Sequence, residues 1–140
     1  MANHPAAKRF IVAITLGAAS GLLCIFLAAQ GQPQLASFSH PIAWAIFTDR
    51  ILIGMVVAFA GAYTVHPILG FAYRPWLRGS CMGAVVSLPI AAGALGGPTP
   101  ESMSAWTIFT ATVLVGTLYG AVIDVIATKI GGEGASLLPS

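Results

Sequence analysis

Residues 10–29 read FIVAITLGAASGLLCIFLAA, twenty positions without one charged side chain. Wound as a helix, this stretch rises about 30 Å, the thickness of a bilayer's hydrocarbon core. Lys8 and Arg9 stand immediately before it. A cleaved signal peptide would have a shorter apolar core, roughly 7–15 residues. Leu22-Leu23-Cys24 has the outline of a lipoprotein processing site, but a large Leu precedes the Cys where a small residue is expected. The stretch therefore reads as an uncleaved membrane helix.

The rest of the chain has the same character. Hydrophobic residues make up 57% of it and charged residues only 7%, against roughly 25% charged in a soluble domain. Folded in water, it would expose large apolar patches. Its 140 residues fit one domain. The net charge of +2, with no block of like charges, argues against nucleic acid as a partner. Cys24 and Cys81 fall at opposite depths, so a disulfide is geometrically disfavoured, and with no histidine nearby they form no metal template.

Three further spans follow. The polar loop from Gln30 to Pro41 leads into a second span over about 42–65, stopped by His66-Pro67. Within it Asp49 and Arg50 interrupt the apolar run. The charge-free part, Ile51 to Val65, covers about 22 Å and is too short to cross alone. That places Asp49 and Arg50 in the outer part of the membrane, within reach of headgroups. A connector with Arg74, Trp76 and Arg78 precedes a third span over about 79–95, where Pro89 removes a helical hydrogen bond and Ser87 can re-satisfy the backbone. Thr99, Pro100 and Glu101 read as the start of the fourth helix, which spans about 106–128. The Gly-rich tail from Gly131 reads as mobile. The expected fold is thus an all-α bundle of four transmembrane helices with both termini cytoplasmic. Lys8, Arg9, Arg74, Arg78 and Lys129 then face inward and only Arg50 outward, a positive-inside pattern that fits the prokaryotic cytoplasmic membrane. Trp44, Trp76 and Trp106 fall near the interfaces, as aromatic anchors do.

Lipid does not drive helices together, so small residues that permit close backbone approach must do so. Gly17 and Gly21 are four apart, as are Gly54 and Ala58, Gly79 and Gly83, Gly93 and Gly97, and Gly116 and Gly120. Each pair shares one helix face and reads as a packing seam, within the chain or toward an oligomer. Asp124 extends the Gly116–Gly120 face. Ionisable residues within membrane helices are functional candidates by default, but Asp124 lies near the cytoplasmic edge, and a structural pair with Arg74, Arg78 or Lys129 accounts for it and is the favoured reading. Arg50 shares the face of Gly54 and Ala58, while Asp49 points about 100° away. His66 reads as a capping or interfacial residue at the end of the second span. No paired carboxylates, metal-binding spacing, phosphate loop or nucleophile–base grouping appears, so neither an enzyme nor a cofactor is expected.

Two segments carry a resemblance. Thr48-Asp49-Arg50-Ile51-Leu52-Ile53-Gly54-Met55 resembles the Asn/Asp-Arg-x-Leu-Ile-Gly segment of a set of small uncharacterised prokaryotic membrane proteins. Gly116-Thr117-Leu118-Tyr119-Gly120-Ala121-Val122-Ile123-Asp124 resembles the Gly-x-x-Tyr-Gly-x-x-Ile/Leu-acidic run that closes those chains. The resemblance implies a compact helical bundle and no particular activity. The first span lacks the carboxylate that small multidrug transporters need. The expected function is a non-enzymatic structural or accessory subunit that packs with other membrane helices. The alternative is a homo-oligomeric transporter or channel for a small solute. The expected partners are the lipid bilayer and either identical copies or another membrane protein.

Overall fold

The computed structural model describes residues 4–97, 99 and 103–138. It is all-α: α1 (Pro5–Gly31), α2 (Pro41–Ala60), α3 (Pro75–Gly96) and α4 (Ala105–Gly131). All four are long and apolar enough to cross a membrane. They run alternately up and down, so the start of α1 and the end of α4 lie at the same end of the bundle.

Helix starts follow one local device. Pro5, Pro41 and Pro75 each occupy the first turn, where a missing N–H leaves nothing unpaired. Before two of them stands a histidine. His4 Nδ1 accepts the N–H of Ala6, and His40 Nδ1 accepts that of Ile42, both at 3.3 Å. The fourth helix begins at Ala105 with Ser104 as its cap, not at Thr99. Pro100 and Glu101, expected to open that helix, lie outside the described residues.

α1, α3 and α4 extend beyond their expected spans, whereas α2 stops at Ala60, short of the expected Val65. After Gly61 the chain tightens through two short-range bonds, Ala62 N–H to Phe59 and Tyr63 N–H to Ala60. It then forms a small hairpin in which Val65 faces Ala72. His66, Phe71 and Tyr73 stack at the base of its turn. His66 therefore lies in this hairpin and not at a helix end. As far as Leu138 the tail folds back on the bundle: Gly134–Leu137 forms a 3-10 turn, Gly134 N–H donates to Gly61 O at 2.8 Å, and Leu137 is buried. The Glu133 carboxylate and these contacts give the described part of the tail partners, where the sequence alone predicts a mobile stretch.

The bundle is assembled from two tight pairs, α1 with α2 and α3 with α4. Glycine makes both seams possible. A Cβ at Gly79 or Gly83 would strike the carbonyl of Gly120 or Gly116, and one at Gly120 would strike that of Gly79. In the other pair, a Cβ at Gly17 would come within 2.5 Å of Arg50 O, and one at Gly54 would strike Ala13 O. Gly21 faces the Phe47 ring. Gly93 meets nothing within 4 Å, and Gly97 approaches only Gly93 of its own helix, so the expected Gly93–Gly97 seam is absent. The α1 and α3 backbones do not pack on one another; α2 and α4 lie across the short diagonal. Ala13, Ile53, Val57, Ala58, Ile123 and Ala127 fill the core nearer the end that holds the start of α1 and the end of α4.

Candidate functional site

Seven polar or charged side chains are buried among the described residues, and six of them gather in two clusters. The first is built on Asp124, which is fully buried. Its face of α4 carries Gly116 and Gly120, so the close α3 backbone brings Arg78 onto it. Arg78 forks across the carboxylate, Nε to Oδ2 at 2.8 Å and Nη2 to Oδ1 at 3.0 Å. Arg9 of α1 donates to Oδ1 from the other side. Thr128, one turn further along α4, accepts from Arg9 at 2.9 Å and from Arg78 at 3.2 Å. Glu133 accepts from Arg78 at 2.9 Å and is one-third exposed.

Arg9 also ends two helices. It donates to Val57 O and Ala58 O in the last turn of α2, and to Gly132 O just past α4. Helix carbonyls left without intrahelical partners there favour a cation. Any side chain at residue 61 would collide with this guanidinium, so Gly61 is the space that Arg9 fills. Arg78 Nη1 holds Tyr63 O at 2.8 Å, fixing the start of the hairpin. Two cations and two carboxylates balance, which the low dielectric of a buried site demands.

The second cluster is Asp49, Arg50 and Ser87. Arg50 Nη1 lies 2.7 Å from Asp49 Oδ2 and 3.1 Å from Ser87 Oγ, and Ser87 donates to Asp49 Oδ2 at 3.1 Å. Arg50 Cζ stands 5.5 Å from the centre of the Tyr119 ring. Arg50 Nε has no partner among the described residues. The 100° between Asp49 and Arg50 does not separate them, because the long arginine side chain turns back across it. Arg50 packs against Gly17, about 18 Å along α1 from Pro5. It is thus halfway along the bundle and at the middle of α2, whereas the sequence alone places it in the outer part of the membrane, within reach of headgroups. Ser87, expected to mend the backbone at Pro89, is instead committed to this triangle.

Of the three partners expected for Asp124, Arg78 is the one that reaches it. Arg74 is exposed at the cap of α3, and Lys129 is exposed on α4; neither reaches the carboxylate. Sequence reasoning missed Arg9, Thr128, Glu133, Ser87 and Tyr119. Two of these had a readable signal: Arg9, Ala13, Gly17 and Gly21 step by four along α1, as do Gly79, Gly83 and Ser87 along α3. The same rule that put Asp124 on a small-residue face applies to both. Between α1 and α4 lies a shallow groove of almost wholly apolar lining, with Leu16, Leu23, Tyr119 and Val122 along it. Compared with known proteins, the chain matches no family model, no curated protein and no solved structure.

Proposed function

We propose that this chain is a non-enzymatic integral membrane protein, a small accessory or structural subunit whose outward faces pack against lipid and the helices of a partner. The observation that carries this reading is the complete internal use of Asp124. Held by Arg9, Arg78 and Thr128 from three helices, it ties the bundle together and offers no free oxygen to a solute. The outward surface is then apolar along every helix, with Phe26, Leu52, Val85 and Leu118 exposed. Lys8, Arg74 and Lys129 are exposed at the end that holds the start of α1 and the end of α4, which supports a cytoplasmic location for that end and insertion in a prokaryotic cytoplasmic membrane. The test is recovery of the tagged chain from native membranes in mild detergent. A different membrane protein should co-purify in stoichiometric amount; a homogeneous species of this chain alone overturns the proposal.

One observation favours a second reading, a homo-oligomeric transporter for a small solute. An ion pair halfway along a membrane bundle, with Arg50 Nε unpartnered, is where substrate pathways are usually found. In this reading Asp49→Asn abolishes flux in liposomes while the protein stays folded. If the change lowers only thermal stability, the pair is structural.

A further inference from the structure

The hairpin between α2 and α3 carries the two most exposed large apolar side chains among the described residues, Ile68 at 86% and Leu69 at 69%. They sit side by side at its tip. Tyr63, Val65, Phe71 and Trp76 are also exposed around it, together with Arg74. A connection facing water would rarely gather so many apolar side chains in so short a run.

The hairpin is not slack. His66 N–H donates to Phe71 O at 2.8 Å, Tyr73 N–H to Thr64 O at 2.7 Å, and Gly70 N–H to His66 O at 2.9 Å. His66 Nδ1 accepts the N–H groups of both Ile68 and Leu69, at 3.2 and 3.0 Å. Gly70 has φ of 70°, the left-handed conformation that a side chain would oppose. These bonds pair the N–H groups of Ile68, Leu69 and Gly70 within the turn and fix its shape, with Ile68 and Leu69 outward. Tyr63 O, at the hairpin's start, is clamped by Arg78. The tip is roughly 15 Å from that base, a reach of about five extended residues.

We propose that this hairpin is a lipid-docking device: Ile68 and Leu69 enter the boundary between headgroups and acyl chains in the leaflet at the terminal end of the bundle. This rests on the membrane-spanning reading above. That reading also supplies the occupant, because α2 and α3 both reach the bilayer surface where the hairpin joins them. Trp76 and Tyr63 match the aromatic enrichment of that layer. The exposed Arg74 guanidinium suits a lipid phosphate, which it can grip with two parallel N–H bonds. The N–H groups of the tip are paired within the turn, and at the headgroup boundary its carbonyls still meet water, so the apolar side chains can enter that layer without stranding peptide groups in hydrocarbon.

The test uses the full chain in vesicles of phosphatidylcholine and phosphatidylglycerol, with Cys24→Ala and Cys81→Ala. A fluorophore is attached at Leu69→Cys, and in a separate sample at Leu118→Cys, which is exposed at the middle of α4. Quenching by a nitroxide near the carboxyl end of the lipid acyl chain is compared with quenching by iodide on both sides. The residue-69 probe should be quenched by the nitroxide and shielded from iodide. Iodide quenching at 69 with lipid quenching at 118 overturns the hairpin's role alone. If 118 also answers only to iodide, the membrane-spanning reading fails and the hairpin proposal with it. Adding Ile68→Asp should move the residue-69 probe from nitroxide to iodide without loss of helical circular dichroism. Unchanged nitroxide quenching in that folded variant overturns the claim that the apolar tip holds the hairpin in lipid.

Discussion

Asp124 is the residue on which most depends, and its neighbours say how much. Asp124→Asn leaves two buried guanidinium groups without their shared anion. Breaking a buried pair this way costs about 3–5 kcal/mol, so the melting temperature in detergent should fall steeply. Glu133→Gln removes a carboxylate that is one-third exposed; water screens such a pair, and its loss should cost at most about 1 kcal/mol. Equal losses from the two changes would contradict the central role given to Asp124. The histidines make a second case. All three precede a proline, and each imidazole accepts the N–H two residues on. Proline has no N–H of its own, so the next one along is the first needing a partner. His40→Ala should cost about 1 kcal/mol, as loss of a helix cap does, whereas His40→Asn keeps an acceptor and should cost less. Thermal unfolding of the two variants side by side separates capping from any other role. At this scale the sequence was partly readable. Asp124 and Arg50 announced themselves as charges on small-residue faces. Arg9 did not, because it stands beside Lys8 and looked like a flanking charge. Only the stride of four from Arg9 to Ala13 and Gly17 distinguishes the buried residue from its exposed neighbour.

Among the elements, the contrast between glycines is the most testable consequence. Gly120→Ala places a methyl group against the backbone of Gly79, where no side chain can move aside. The α3–α4 seam should open and the variant should unfold at a markedly lower temperature. Gly93→Ala meets nothing, and alanine is the better helix former by about 0.5–1 kcal/mol; its melting temperature should hold or rise. Spacing alone predicted a seam at both places. A four-residue interval says that two glycines share a face, not that another helix lies on that face. The same limit applies to the end of α2. Val65 is apolar enough to continue a span, but Gly61 is required by Arg9, and the aromatic stack of His66, Phe71 and Tyr73 offers the following residues a competing structure. Neither partner is adjacent in sequence, so hydropathy could not register them.

For the whole molecule, the four-helix architecture was legible because apolar runs of this length have few other solutions. The arrangement of the helices was not, since it depends on which buried charges find one another. The two pairs, α1 with α2 and α3 with α4, each have a complete glycine seam. Polar contacts join them: Arg9 to Asp124 and Arg50 to Ser87. Separately expressed fragments 1–68 and 69–140 should therefore co-purify, and Asp124→Asn in the second fragment should weaken that recovery. Recovery of either fragment alone, as a stable monomer, would show that the halves do not need one another. The Arg9–Asp124 bond also links positions 115 residues apart. During synthesis the first helix leaves the ribosome long before its counter-ion exists. Until α4 arrives, Arg9 lacks the carboxylate that balances it and must remain hydrated, and only then can it be drawn inward. Arrival of α4 thus licenses the final compaction of the bundle, and a nascent product halted before α4 would present an unmatched cation to cellular quality control.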